Sequence, residues 1–229
     1  MAHLRRAGEL LADAAAETGQ HSPLPTCPGW TIGDLVRHTG TFHRWAAPIV
    51  AERLPGSVPE DPMPEEPTGG DLLPWFLDGH SSLVRTRRAA GQQTDCWTFL
   101  PAASSVAFWA RRQAHETTVH RVDAESVRGG ELSTLDPAFA ADGTDELLTG
   151  FHARSLSRVR AEQPRAPRVR PTDDAAVGCG QMLSVDPVPA SAELTEPDRA
   201  AARRRLRAWS SARTARGCRR PLGGCCRRR

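Results

Sequence analysis

From Ser104 to Arg128 the chain runs without a glycine or a proline and then meets Gly129 and Gly130. Such a stretch reads as one long helix with a defined stop, since nothing interrupts its hydrogen-bond ladder before residues that tolerate a left-handed turn. Laid out at spacings of three and four, one side of it carries Val106, Trp109, Gln113, Glu116 and His120, with Asp123 continuing the row. A carboxylate and an imidazole four residues apart thus share a buried-looking face and can present an oxygen and a nitrogen to a single point. Any fold has to pack this helix and compensate Glu116, because an unpaired buried charge costs several kcal/mol.

Three more helices are predicted before it. The first covers His3 to about Thr18, with Leu4, Leu10, Leu11 and Ala15 as its apolar side. The second opens at Thr31, whose hydroxyl can cap it while Asp34 closes a capping box, and runs to about Arg53. Its apolar stripe is Leu35, His38, Phe42, Trp45 and Ile49, which sets His38 inside the stripe. His43 lies about 140° around the helix from His38 and is expected to meet solvent. A Pro-rich acidic linker, PGSVPEDPMPEEPTGG, leads to a third helix over about Asp71 to Ala90, where His80 shares a stripe with Phe76 and Leu83 and reads as a core histidine. Cys96 to Leu100 is β-prone, a fifth helix is predicted from Asp136 to about Arg160, and QMLSVDPV is the one later piece with strand character. The fold class is therefore mainly α, with residues 1–163 as a helical bundle and 164–229 as an irregular segment.

Charge is divided along the chain. Residues 1–198 hold 18 Arg against 27 acids, a net −9, whereas residues 199–229 hold 12 Arg and no acid. A nucleic-acid partner rests on that tail alone and is not expected. The chain has no Lys, Asn or Tyr and only two Ile, Ile32 and Ile49, as a GC-rich gene would give. Two readings of the tail stay open, an aberrant out-of-frame terminus or a disordered basic arm, and neither forms a packed core. No apolar run approaches the roughly 20 residues of a spanning helix. Arg5, Arg6, Glu9, Asp13 and Glu17 leave no secretory apolar stretch near the start, so a cytoplasmic, membrane-free protein is expected.

The chemistry concentrates on the two stripes. Glu116 and His120 read equally as a helical ion pair, a hydrogen-bonded core pair or two ligands of a divalent metal. In the metal reading His38 supplies a third ligand, and two imidazoles plus one carboxylate leave positions open for water or substrate. The HETTVH block is not a zincin motif, because His115 and His120 are five apart and do not share a face. His115 belongs beside such a site or at the surface. Asp123, one turn beyond His120, can support it from behind. The paired Arg111 and Arg112 read as a solvated face. Cys27, Cys96 and Cys179 are single, and Cys218, Cys225 and Cys226 lack CxxC spacing, so all six read as reduced and none as catalytic. No dinucleotide glycine fingerprint, phosphate loop or serine nucleophile elbow is present.

The blocks LPTCPGWTIGDLVRHTGTFHRWA, SVAFWARRQAHETTVHRVDAE and LDPAFAADGTDELLTGF, in that order, resemble the metal-binding N-terminal domain of mycothiol-dependent maleylpyruvate isomerase family proteins, part of a wider DinB-like four-helix-bundle group. The likeness covers about residues 5–160. It implies a DinB-like four-helix bundle with a metal, usually zinc, held by His38, Glu116 and His120. It further implies mycothiol, a low-molecular-weight thiol, as cofactor and a small electrophile as substrate for isomerase or transferase chemistry. In that scheme the thiolate adds to a conjugated double bond, the carbon bond turns and the thiol leaves. Family members usually continue into a small α+β domain that completes the substrate pocket, and residues from about 172 onward do not resemble it, so none of its substrate contacts is carried over. A non-catalytic metal-binding module is the alternative reading, and a DNA-associated protein using the tail is a third.

Overall fold

Thr31 begins its helix as the capping box requires. Its backbone N–H donates to Asp34 Oδ2 at 2.8 Å, and the Asp34 N–H returns a bond to Thr31 Oγ1 at 3.2 Å. In the computed structural model, which describes residues 1–57, 67 and 69–152, this helix is the second of four long ones. They are α1 (Ala2–Thr18), α2 (Ile32–Ala51), α3 (Leu72–Ala89) and α4 (Ser105–Arg128). A 3-10 turn, Gly69–Asp71, leads into α3. Ser104 caps α4 by accepting from the Ala107 N–H, and Gly129, at φ 79°, ends it.

The chain divides after Ser133 into two units. In the first, α1 packs mainly on α4 and α2 mainly on α3, while α1–α3 and α2–α4 contacts close the ring into a four-helix bundle. The core holds Leu11, Leu24, Ile32, Leu35, Phe76 and Ala124. At one end Trp109, fully buried, packs edge-on to Trp45 and donates its indole N–H to the Trp97 carbonyl at 2.8 Å. Helices α2 and α3 approach closely at Gly40, where a Cβ would run into the Trp75 ring. In the second unit, α5 (Pro137–Asp145) is capped by Asp136 and passes into a π-helical turn, Glu146–Phe151. The sequence expectation carries this helix on to Arg160, and that continuation, QMLSVDPV, the 163/164 boundary and the Arg-rich tail lie outside the described residues.

Cys96–Leu100 forms no strand. Its one backbone tie, the Trp97 N–H to the Leu54 carbonyl at 2.7 Å, anchors it to the end of α2. Among the described residues the pairing of extended backbone is confined to an isolated bridge between Pro23 and Thr31. A β-prone stretch without a second strand has nothing to pair with and stays a loop. No described helix is long and apolar enough to cross a membrane.

Two expectations about exposure fail for one reason. His43, expected in solvent, is only 1% exposed, and Arg112, expected on a solvated face, is only 3% exposed. A helix in a four-membered ring has neighbours on two sides, so its buried arc is wider than the single stripe that periodicity marks. His43 falls on the side of α2 that meets Phe76 and His80 of α3. On α4 every residue from Arg112 to Thr118 is buried. His80 is a core histidine as expected, stacked on Phe76 with its Nε2–H donated to the Arg5 carbonyl.

Candidate metal centre

The bundle brings together the three residues that the stripes selected. Glu116 Oε1 lies 3.3 Å from His120 Nε2 and 3.6 Å from His38 Nε2. One donor atom from each of the three falls within 4.8 Å of the others. Glu116 and His120 come from successive turns of α4, and His38 comes from the second turn of α2 opposite. Ligands at 2.0–2.1 Å from a tetrahedral zinc stand about 3.4 Å apart. The two spacings from Glu116, 3.3 and 3.6 Å, are close to that edge, and the donor set of two imidazole nitrogens and a carboxylate oxygen suits zinc, so these residues fit a divalent ion.

The two donors from α4 each have a partner behind them. Asp123, fully buried, places Oδ2 3.3 Å from His120 Nδ1. A carboxylate can only accept, so Nδ1 carries the hydrogen and Nε2 faces the cluster. Glu116 turns its other oxygen, Oε2, to a guanidinium nitrogen of Arg112 at 2.5 Å. Arg112 is the residue that the sequence reading missed. The signal was present, since Arg112 stands four residues before Glu116 as Glu116 stands four before His120, and that ladder pairs opposite charges.

The electrostatics follow from these contacts. Burial disfavours the Glu116 anion, yet Arg112 beside it and the hydrogen bonds from His120 and His38 hold its carboxyl well below the usual carboxylate range. Burial likewise opposes a charge on His120, but Asp123 and Glu116 on either side push its pKa up to about 9. In the metal-free protein the cluster is thus a closed network of compensated charges, which answers how α4 carries a buried carboxylate.

The open side of the cluster is His38, whose side chain is 13% exposed against 1% for His120. Its ring stands edge-on to Trp30 at 5.3 Å and lies 4.6 Å from Phe42. Trp30 is held there by the folded loop before α2, in which the Leu24 N–H bonds the Trp30 carbonyl and the Trp30 N–H bonds the Cys27 carbonyl. His115 is buried but outside the converging set. Cys27 and Cys96 are buried and in no disulfide, and neither enters it.

The family model described as the mycothiol maleylpyruvate isomerase N-terminal domain matches residues 1–125. That span includes α1 to α3 and nearly all of α4, and it contains His38, Glu116, His120, Asp123 and Arg112. No curated protein and no solved structure matches the chain.

Proposed function

The chain belongs to the mycothiol maleylpyruvate isomerase N-terminal domain family, and from that premise we propose that it holds a divalent metal, zinc by preference, through His38, Glu116 and His120. Its activity is thiol-dependent isomerisation or transfer on a small electrophile, with mycothiol as the thiol. The observation that carries this reading is the convergence of two imidazole nitrogens and one carboxylate oxygen within 4.8 Å between α2 and α4. A metal there supplies a Lewis acid that draws the proton from a coordinated thiol near neutral pH.

The chain's own residues prepare the place. Asp123 fixes the His120 ring by accepting from Nδ1–H, so that Nε2 stays aimed at the site. His120 and Glu116, both buried, close the back of it. His38 lies at the accessible side, where Trp30 and Phe42 form an apolar wall that limits water and favours an unsaturated carbon skeleton over a polar one. A reducing cytoplasm suits this thiol chemistry and the buried thiols of Cys27 and Cys96.

Elemental analysis of the purified protein, with Glu116→Ala and His120→Ala alongside, tests the site. About one equivalent of zinc in the wild type, lost in both variants, is expected. A metal-free wild type purified without chelator would refute the reading. Addition of a low-molecular-weight thiol to a conjugated electrophile, abolished in His38→Ala, then tests catalysis. Bound metal with no such reaction would leave a binding module.

A further inference from the structure

On the footing of that metal reading, the geometry points to Arg112 as the positioning residue that makes Glu116 a one-oxygen ligand. The two carboxylate oxygens are divided between different partners. Oε2 faces the guanidinium at 2.5 Å, while Oε1 faces His120 Nε2 at 3.3 Å and His38 Nε2 at 3.6 Å. The Arg112 and Glu116 side chains are only 4% and 6% exposed, so water does not compete for either oxygen.

Nothing intrinsic to a glutamate makes this division. The last torsion of the side chain is soft and roughly two-fold, so an unrestrained carboxylate rotates freely and offers a cation both oxygens. Two-oxygen binding would fill the position that a thiol needs, because a catalytic site of this type works by keeping one position open. Arg112 removes that option by occupying Oε2. Its rigid fork is suited to the task, whereas a lysine would place a similar charge without fixing the carboxylate plane. The backbone supplies the register, since Arg112, Glu116 and His120 recur every four residues and stack on one side of α4. Asp123 orients one ligand of the cluster from behind, and Arg112 orients another.

The test is a cobalt(II) titration of the metal-free, full-length protein and of Arg112→Met and Arg112→Lys, read by visible absorption and by competition with a chelating dye. In the wild type one equivalent of cobalt should give the intense visible bands of a four-coordinate ion. In Arg112→Met these bands should weaken toward the five-coordinate pattern, and affinity should fall roughly 10–100-fold, as for loss of other groups that orient a ligand. Arg112→Lys should recover part of the affinity and little of the spectrum. Circular dichroism of the cobalt-loaded variants checks that they fold, and if Arg112→Met does not, Arg112→Lys carries the test alone. A wild-type spectrum and affinity in both variants would overturn the assignment. Failure of both to fold even with cobalt would also overturn it, leaving Arg112 a role in folding. A wild type that takes up no cobalt would instead refute the metal reading, and this inference with it.

Discussion

The buried histidine pair on the α2–α3 side makes stability depend on pH in a way that can be worked out. His43 and His80 have rings 5.2 Å apart and are 1% and 3% exposed. Burial, then the neighbouring His80, then Arg44 pull the His43 pKa well below 6.5, against the attraction of Glu116. Burial also lowers His80, against the Arg5 carbonyl and Glu9. Neither ring has a partner at Nδ1 among the described residues, so neither has an acceptor waiting for a second proton. The unfolded chain binds a proton at each site as pH falls through 6.5 while the native rings take theirs only at lower pH, so stability is lost on acidification. Between pH 7 and about 5.5, a histidine that stays neutral when folded removes on the order of 1 kcal/mol. His120 acts in the opposite sense. Raised to about 9, its contribution is complete below 6.5 and is lost as pH rises through about 9. Urea unfolding of the chelated protein at the two pH values, compared with His80→Gln, isolates the contribution of His80, because His43 and His120 are common to both proteins. The wild type should lose more stability than the variant over this window, by on the order of 1 kcal/mol. Equal losses in the two proteins would refute the reasoning, since they would mean that native His80 takes up its proton as readily as the unfolded chain does.

Asp123→Asn keeps shape and an acceptor oxygen but removes the charge behind His120, and zinc affinity measured by dye competition should fall roughly 10–100-fold. Gly40→Ala should lower stability by about 1–3 kcal/mol, read by thermal melting, because the new Cβ meets Trp75 across the α2–α3 contact. Thr31→Ala removes both bonds of the Thr31 hydroxyl, the cap on the Asp34 N–H and the bond to the Asp34 carboxylate, and should cost about 1 kcal/mol in the same assay. Saturating zinc should raise the melting temperature, and at one hundred times its dissociation constant the added stability is about 2.7 kcal/mol. Glu116→Ala should show none of that gain.

Much of the bundle is legible residue by residue because its determinants are local. The Thr31–Asp34 box, the Ser104 cap, the absence of breakers through α4 and the stop at Gly129 act within a turn or two of chain, and the helices form where those signals place them. The face that unites His38, Glu116 and His120 follows from helical periodicity once two stripes are taken to oppose each other. Local pattern is silent on how many neighbours a helix has. His43 and Arg112 look like surface residues on a helix with one buried stripe, and they are interior because α2 and α4 each pack against two others. Cys96–Leu100 has the residues of a strand, and only the lack of a pairing partner makes it a loop. The starts and stops of the long helices, and the side chains that can meet along one helix face, are written in the chain itself, since both depend on neighbours a few residues away. Which oxygen of Glu116 faces the two imidazoles and which side chains lose water, Arg112 and His43 among them, follow only from the packed bundle, because burial and the approach of His38 depend on side chains that the chain brings together when four helices close into a ring.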